Sequence, residues 1–211
     1  MRIAVLGAGA WGTALAISFA HRHSVVLWAR DPARVASMQA ARENSRYLPG
    51  HAFPASLDPT GDFEGATDGA ELLLLAAPLA GLRTALQSLR EARISAPFLW
   101  VCKGLEKGSG LLPHQVVHDV LGRRVCGVLT GPSFADEVAR ELPTAVTIAS
   151  DDATFALRCA EDLHGPRLRI YASDDVIGAE VGGAVKNVMA IATGVCDGLG
   201  LGMNARAALL T

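Results

Sequence analysis

The chain is 211 residues long, carries a net charge of −2, and is 50% apolar and 19% charged. Disorder needs low hydrophobicity and high net charge, so this chain builds a core. It has no basic excess to act as a whole-chain field for nucleic acid, and its length fits one large domain or one domain plus part of another.

Ile3–Leu6 reads as a strand that ends at Gly7, and Ala10–Ala20 as an apolar, small-residue helix. Met1-Arg2 ahead of that stretch would suit a signal peptide, but a signal needs no glycines at 7, 9 and 12, and no clear cleavage site precedes His21. Ser24–Trp28 is β-rich. Asp31-Pro32 is a helix start, Asp as N-cap and Pro at N1, for a helix over 32–42. Asn44–Phe63 carries Pro49, Gly50, Pro54, Pro59 and Gly61 and reads as loop. Leu72–Ala77 is fully apolar and suits a buried parallel strand. Helices follow over 79–92, 112–121 and 152–163, with a short one over Ser133–Arg140. Strands follow at Phe98–Cys102, Val125–Thr130, Thr144–Ala149 and Leu168–Tyr171. Asp175–Cys196 predicts one long helix despite Gly182-Gly183. The longest uninterrupted apolar run, Leu72–Pro78, is far short of the roughly 20 residues that span a bilayer, so no transmembrane segment is expected.

Alternating strands and helices with fully apolar strands predict an α/β fold, a Rossmann-type parallel sheet with helices on both faces. Ligands then bind just after the strands. Residues 1–174 form the expected dinucleotide-binding domain. The four cysteines, 102, 126, 159 and 196, have no CxxC or zinc-like spacing, and Cys102 and Cys126 read as buried thiols of a reducing compartment.

Five features bear chemistry. Gly7-Ala8-Gly9-Ala10-Trp11-Gly12 is a G-x-G-x-x-G between strand and helix, suited to a pyrophosphate at the helix start or to a tight turn alone. After the second strand, Asp31 is spent as N-cap, which leaves Arg30 free for a 2′-phosphate or merely solvated. Lys103, at the end of a buried strand, points into the crevice or to solvent. Thr130-Gly131-Pro132-Ser133-Phe134-Ala135 admits a ligand to backbone N–H groups or simply turns the chain. Gly182-Gly183 costs a helix about 1 kcal/mol per glycine, so something approaches closely, a ligand or another element. Lys186-Asn187 follow, and a partly desolvated lysine trades protons near neutrality. The six histidines show no metal pattern. His114 and His118 read as surface residues, and the paired carboxylates Asp151-Asp152 and Asp174-Asp175, which precede helices, as N-caps.

Together these residues resemble the NAD(P)-dependent glycerol-3-phosphate dehydrogenases of bacterial type. The match runs through GAGAWGTALA (7–16), LWARD (27–31), NSRYLPG (44–50), KGLE (103–106), GPSFA (131–135), EVGGAVKN (180–187) and DGLGLGMNARAAL (197–209). The resemblance implies a cytoplasmic enzyme that reduces dihydroxyacetone phosphate at C2 to sn-glycerol 3-phosphate for phospholipid synthesis, with no metal. It implies Lys186 as proton donor/acceptor and substrate contacts at Lys103, Gly131, Ser133, Lys186 and Asn187. It implies cofactor contacts at Gly7, Gly9, Ala10, Trp11, Gly12, Arg30, Tyr47, Pro78, Lys103 and Ala135. The cofactor is NADP or NAD, with Arg30 favouring NADPH, and a homodimer is a family-level expectation. The resemblance also implies that residues 175–211 begin a truncated all-helical substrate domain. The Asp and the Arg-Asn pair that close over the substrate phosphate would lie past Thr211, and the helix near 181–211 would expose an apolar face. Two alternatives stand beside this. A hydroxyacid dehydrogenase with a catalytic lysine would need a carboxylate-reading Arg, which GPSFA and KGLE do not supply. A non-catalytic NADPH-binding fragment would lack the phosphate clamp.

Overall fold

A computed structural model describes residues 1–211, the side chain of Asn187 excepted. Asn187 is therefore a predicted site residue that lies outside the described side chains. The chain forms β1 (Arg2–Leu6), α1 (Ala10–Ala20), β2 (Ser24–Trp28), α2 (Pro32–Ala41), β3 (Glu43–Asn44), β4 (Leu48–Ala52), β5 (Leu57–Thr60) and α3 (Phe63–Thr67). It continues with β6 (Leu72–Leu75), α4 (Leu79–Glu91), β7 (Phe98–Trp100), α5 (Pro113–Leu121), β8 (Cys126–Thr130), α6 (Ala135–Ala139) and β9 (Thr144–Ala149). The last elements are α7 (Ala153–Leu163), β10 (Leu168–Ser173), α8 (Val176–Gly198) and α9 (Gly202–Leu210).

Eight strands form one sheet in the order β10-β9-β8-β7-β6-β1-β2-β5. All four residues of β6 are buried, because helices cover both faces of the sheet. One core layer gathers Leu15, Phe19, Met38 and Phe155 on one face; the other gathers Leu82, Leu86, Val116 and Val120 on the opposite face. The buried leucines of α4, at 82, 86 and 89, fall on one helical stripe. The chain leaves β1 toward β2 on one side and returns to β6 on the other. That reversal opens a crevice at the carboxyl ends of β1 and β6.

The sheet differs from the sequence expectation in two places. β9 pairs antiparallel to β8, Val128 opposite Ala149, although every other pair in the sheet is parallel. Apolar strand composition does not encode direction. The Asn44–Phe63 stretch, expected to be loop, holds the β3–β4 hairpin, β5 and the start of α3. β5 tolerates Pro59 because it lies at the sheet edge, bonded only to β2.

The long helix α8 packs its N-terminal half on β8 and β9. By length and composition it is long and apolar enough to cross a membrane, although Glu180 and Lys186 interrupt its apolar run. Ile177, Val181, Val185, Val188, Ile191 and Val195 on α8, and Met203 and Leu210 on α9, are exposed. This is the apolar face expected near residues 181–211. All four cysteines are free; Cys102 is buried, but Cys126, on the edge of the core, is only half-buried.

Candidate active site

The glycine loop occupies the mouth of the crevice. Gly7 has φ +131°, and a Cβ there would sit 2.8 Å from the Ala76 carbonyl. A Cβ on Gly12 would sit 2.1 Å from the Gly7 oxygen and 2.7 Å from Ala76 Cβ. Both glycines are therefore fixed by backbone crowding between β1, α1 and the end of β6. At Gly9 a Cβ would meet nothing within 4 Å, so this residue faces open space and is the N-cap of α1. No side chain caps that helix, which leaves its first-turn N–H groups directed at the crevice. Asn44, buried in β3, braces the loop: its Nδ2 donates to the Ala8 carbonyl (3.0 Å) and to Thr13 Oγ1 (2.8 Å).

A cleft of about 820 Å³ runs from this loop. Gly7, Gly9, Ala10, Trp11, Gly12, Arg30, Tyr47 and Pro78 all line it, so eight predicted cofactor contacts share one cavity. Asp31 Oδ1 accepts from Ala33 N (3.1 Å), which spends its carboxylate as the N-cap. Lys103 and Ala135, also predicted contacts, do not line this cleft.

Lys103 instead belongs to a second cluster. Its Nζ donates to the Gly131 carbonyl (2.9 Å). Burial, reinforced by the neighbouring Lys186 charge, holds its ammonium below the usual lysine range. The loop that follows is tied down by Arg83, which forks onto Glu106 with two 2.9 Å bonds. That guanidinium, with help from Ser109, holds the Glu106 carboxyl down at about 2.

Gly131 and Lys186 line a separate cleft of about 300 Å³, with Thr130, Gly182 and Gly183 beside them. Gly131 has no room for a side chain, because a Cβ would lie 3.0 Å from the Ala145 oxygen on β9. Ser133 N donates to the Gly131 carbonyl (3.0 Å), closing the turn that leads into α6. The paired glycines of α8 divide their tasks. A Cβ on Gly183 would press on Thr130 Oγ1 (2.9 Å) and Lys103 Cγ (3.4 Å), so it is absent to let the helix close on β8. Gly182 faces open space in the cleft. Lys186 Nζ stands 4.9 Å from the centroid of the exposed Phe134 ring, a cation–π contact.

Sequence reasoning missed the clamp that seats α8. Glu180 is 3% exposed. Its Oε1 accepts from Trp100 Nε1 (2.8 Å) and His114 N (2.9 Å), and Oε2 meets His114 Nδ1 at 2.5 Å. His114, read as a surface residue, is thus a half-buried partner under α8. Burial raises the Glu180 carboxyl above the usual range, against the opposing pull of His114 and Trp100. Glu180 lies in the quoted EVGGAVKN block, but its burial was not legible there. Arg34, which also lines the large cleft, was missed because an Arg early in a helix reads as solvated. Among the described residues, no group of three or more His, Cys, Asp or Glu is arranged to hold a metal.

Comparison with known proteins places this geometry. A curated glycerol-3-phosphate dehydrogenase [NAD(P)+] of Aromatoleum aromaticum is 58% identical over the whole chain, which covers 65% of that relative. The chain thus spans about two thirds of the length of the curated relatives it matches. The solved glycerol-3-phosphate dehydrogenase of Coxiella burnetii superposes with TM-score 0.89 at 44% identity, over 99% of this chain and 64% of that one. That of Plasmodium falciparum superposes with TM-score 0.88 at 27% identity, over 99% of this chain and 62% of that one. Residues 2–156 match the family model for the NAD-dependent glycerol-3-phosphate dehydrogenase N-terminus and residues 175–211 the model for its C-terminus. The chain belongs to the NAD-dependent glycerol-3-phosphate dehydrogenase family.

Proposed function

We propose that this chain carries the cofactor domain and the catalytic lysine of an NAD(P)H-dependent oxidoreductase that interconverts dihydroxyacetone phosphate and sn-glycerol 3-phosphate. The observation that carries the reading is the meeting of Lys103 and Gly131, each just past a strand end, with Lys186 of α8. The large cleft fits a dinucleotide. It has a glycine backbone floor, an uncapped helix start for a pyrophosphate, and Arg30 with Tyr47 at its far end for the adenosine. When bound, the nicotinamide supplies the hydride that reaches C2 of the ketone. Lys186 donates its ammonium proton to the C2 oxygen as charge develops there, and recovers a proton from solvent. Lys103 adds positive charge to the same site, and Ser133 and the backbone near Gly131 and Ala135 orient substrate and cofactor. The cofactor domain is residues 1–174, and 175–211 open the helical substrate domain. A cytoplasmic location, a role in phospholipid synthesis and a homodimer belong to the same proposal.

The test is NADPH oxidation by this chain with dihydroxyacetone phosphate. Lys186→Ala lowers turnover by roughly 10²–10⁴-fold with NADPH affinity nearly unchanged; full activity in that variant removes Lys186 from the mechanism. The alternative is a non-catalytic NADPH-binding fragment, which the curated relatives, named as dehydrogenases, do not favour. NADPH binding without turnover in the unmodified chain selects it.

A further inference from the structure

We propose that Arg34 is a second reader of an adenosine 2′-phosphate, acting with Arg30, and that the pair makes this chain prefer the 2′-phosphorylated dinucleotide. The proposal rests on the reading above that the large cleft binds a dinucleotide.

Arg30 and Arg34 are the two charged residues among those lining that cleft, and no carboxylate lines it. The acidic residue nearest the end of β2, Asp31, is spent on Ala33 N. A ribose bearing free hydroxyls is held by a carboxylate acceptor at this place, whereas a 2′-phosphate is held by guanidinium donors. The site therefore offers donors and withholds the acceptor. Arg34 sits in the first turn of α2, and Arg30 lies just before the N-cap of that helix. Its guanidinium lies 4.8 Å from the centroid of the Tyr47 ring, on the β3–β4 hairpin that also carries the Asn44 brace. Arg46 stands over the same ring at 5.5 Å. Stacking fixes the plane of the Arg34 fork before any ligand arrives. Arg34 Nε is buried without a hydrogen-bond partner among the described residues, so packing holds the stem and the outer guanidinium nitrogens are the donors that face a ligand in the cleft. A dianionic phosphate between the two arginines supplies acceptors to both.

The test uses adenosine 2′,5′-bisphosphate and adenosine 5′-monophosphate, which differ only in the 2′-phosphate, titrated into the chain by calorimetry. The wild type binds the bisphosphate more tightly. Arg34→Met, which keeps an unbranched side chain but removes the guanidinium, weakens the bisphosphate about tenfold and leaves the monophosphate unchanged. Arg34→Ala gives the same pattern. Equal losses for both nucleotides would make Arg34 a general adenosine contact and overturn the proposal. So would Arg30→Met erasing the preference while Arg34→Met keeps it, or a wild type that binds both equally. Binding of neither nucleotide by the folded wild type defeats the dinucleotide reading itself, a result distinct from the others.

Discussion

Helices α1 and α8 are both apolar, both rich in small residues, and both carry glycines at positions that matter. They end in opposite situations. α1 buries eight of its 11 residues between the sheet and α6. α8 buries only Val176, Glu180 and Cys196 among its described residues, and leaves six large apolar side chains from Ile177 to Val195 exposed. Composition states that a surface wants cover; only the packing of other elements states whether it has it. The glycines teach the same lesson. Gly12 is dictated by atoms already present, Gly182 by empty space.

Six substitutions at five positions break or sharpen that contrast, from the largest effect down. Gly12→Ala forces a Cβ into the Gly7 carbonyl oxygen, and neither backbone segment has room to move. Nucleotide binding is lost and thermal stability falls; a variant that binds NADPH as the wild type does would show that the loop is not rigid. Glu180→Ala strands His114 and the Trp100 indole N–H and costs about 3–5 kcal/mol in urea unfolding. Glu180→Gln costs less and isolates a pH effect. The folded state raises the Glu180 pKa, so the folded chain holds the proton more tightly than the unfolded one. Stability from that group is present below its unfolded value of about 4.3 and is lost as pH rises through the raised folded value. Wild type minus Glu180→Gln therefore declines as pH rises above the unfolded value, and a flat difference rules out a raised Glu180 carboxyl.

Leu15→Ala in α1 costs about 2–5 kcal/mol, whereas Ile191→Ala in α8, at a side chain 69% exposed, stays within about 0.5 kcal/mol. Equal costs, read from denaturant midpoints, would mean that α8 is covered in solution. The smallest change has the opposite sign. Gly182→Ala meets no atom within 4 Å and raises stability by about 1 kcal/mol through helix propensity. A drop in melting temperature would show that the helix there is closer to a neighbour than the structure places it.

Much of this was written in local chemistry. Asp31-Pro32 specified the start of α2, where the carboxylate caps Ala33 N, and the neighbouring Arg30 lines the cleft while Asp31 does not. Leu72–Leu75 announced a doubly covered strand because no other element takes four consecutive leucines without a polar side. The G-x-G-x-x-G located the crevice mouth. What stayed hidden depended on partners distant in sequence. Pro59 argued against a strand, yet at a sheet edge its missing N–H costs no ladder bond. His114 looked solvated because Glu180, 66 positions away, is what buries it. The reversed pairing of β9 on β8 is a property of a connection, and no side chain in Thr144–Ala149 records it. The family resemblance named Lys103 as a site residue, but its link to Gly131 and the closeness of Gly183 needed the fold.

The free thiols give the molecule a built-in clock. Burial pushes Cys102 and Cys159 up to about 12 and Cys126 up to about 11, so almost no thiolate exists at neutral pH to meet an alkylating reagent. Each thiol then reacts at the rate at which its own neighbourhood opens. Cys102 and Cys126 time the central strands, Cys159 times α7, and Cys196, 2% exposed near the far end of α8, times the parting of α8 from α9. A single labelling course, resolved by mass, thus separates opening of the α8–α9 pair from unfolding of the nucleotide domain.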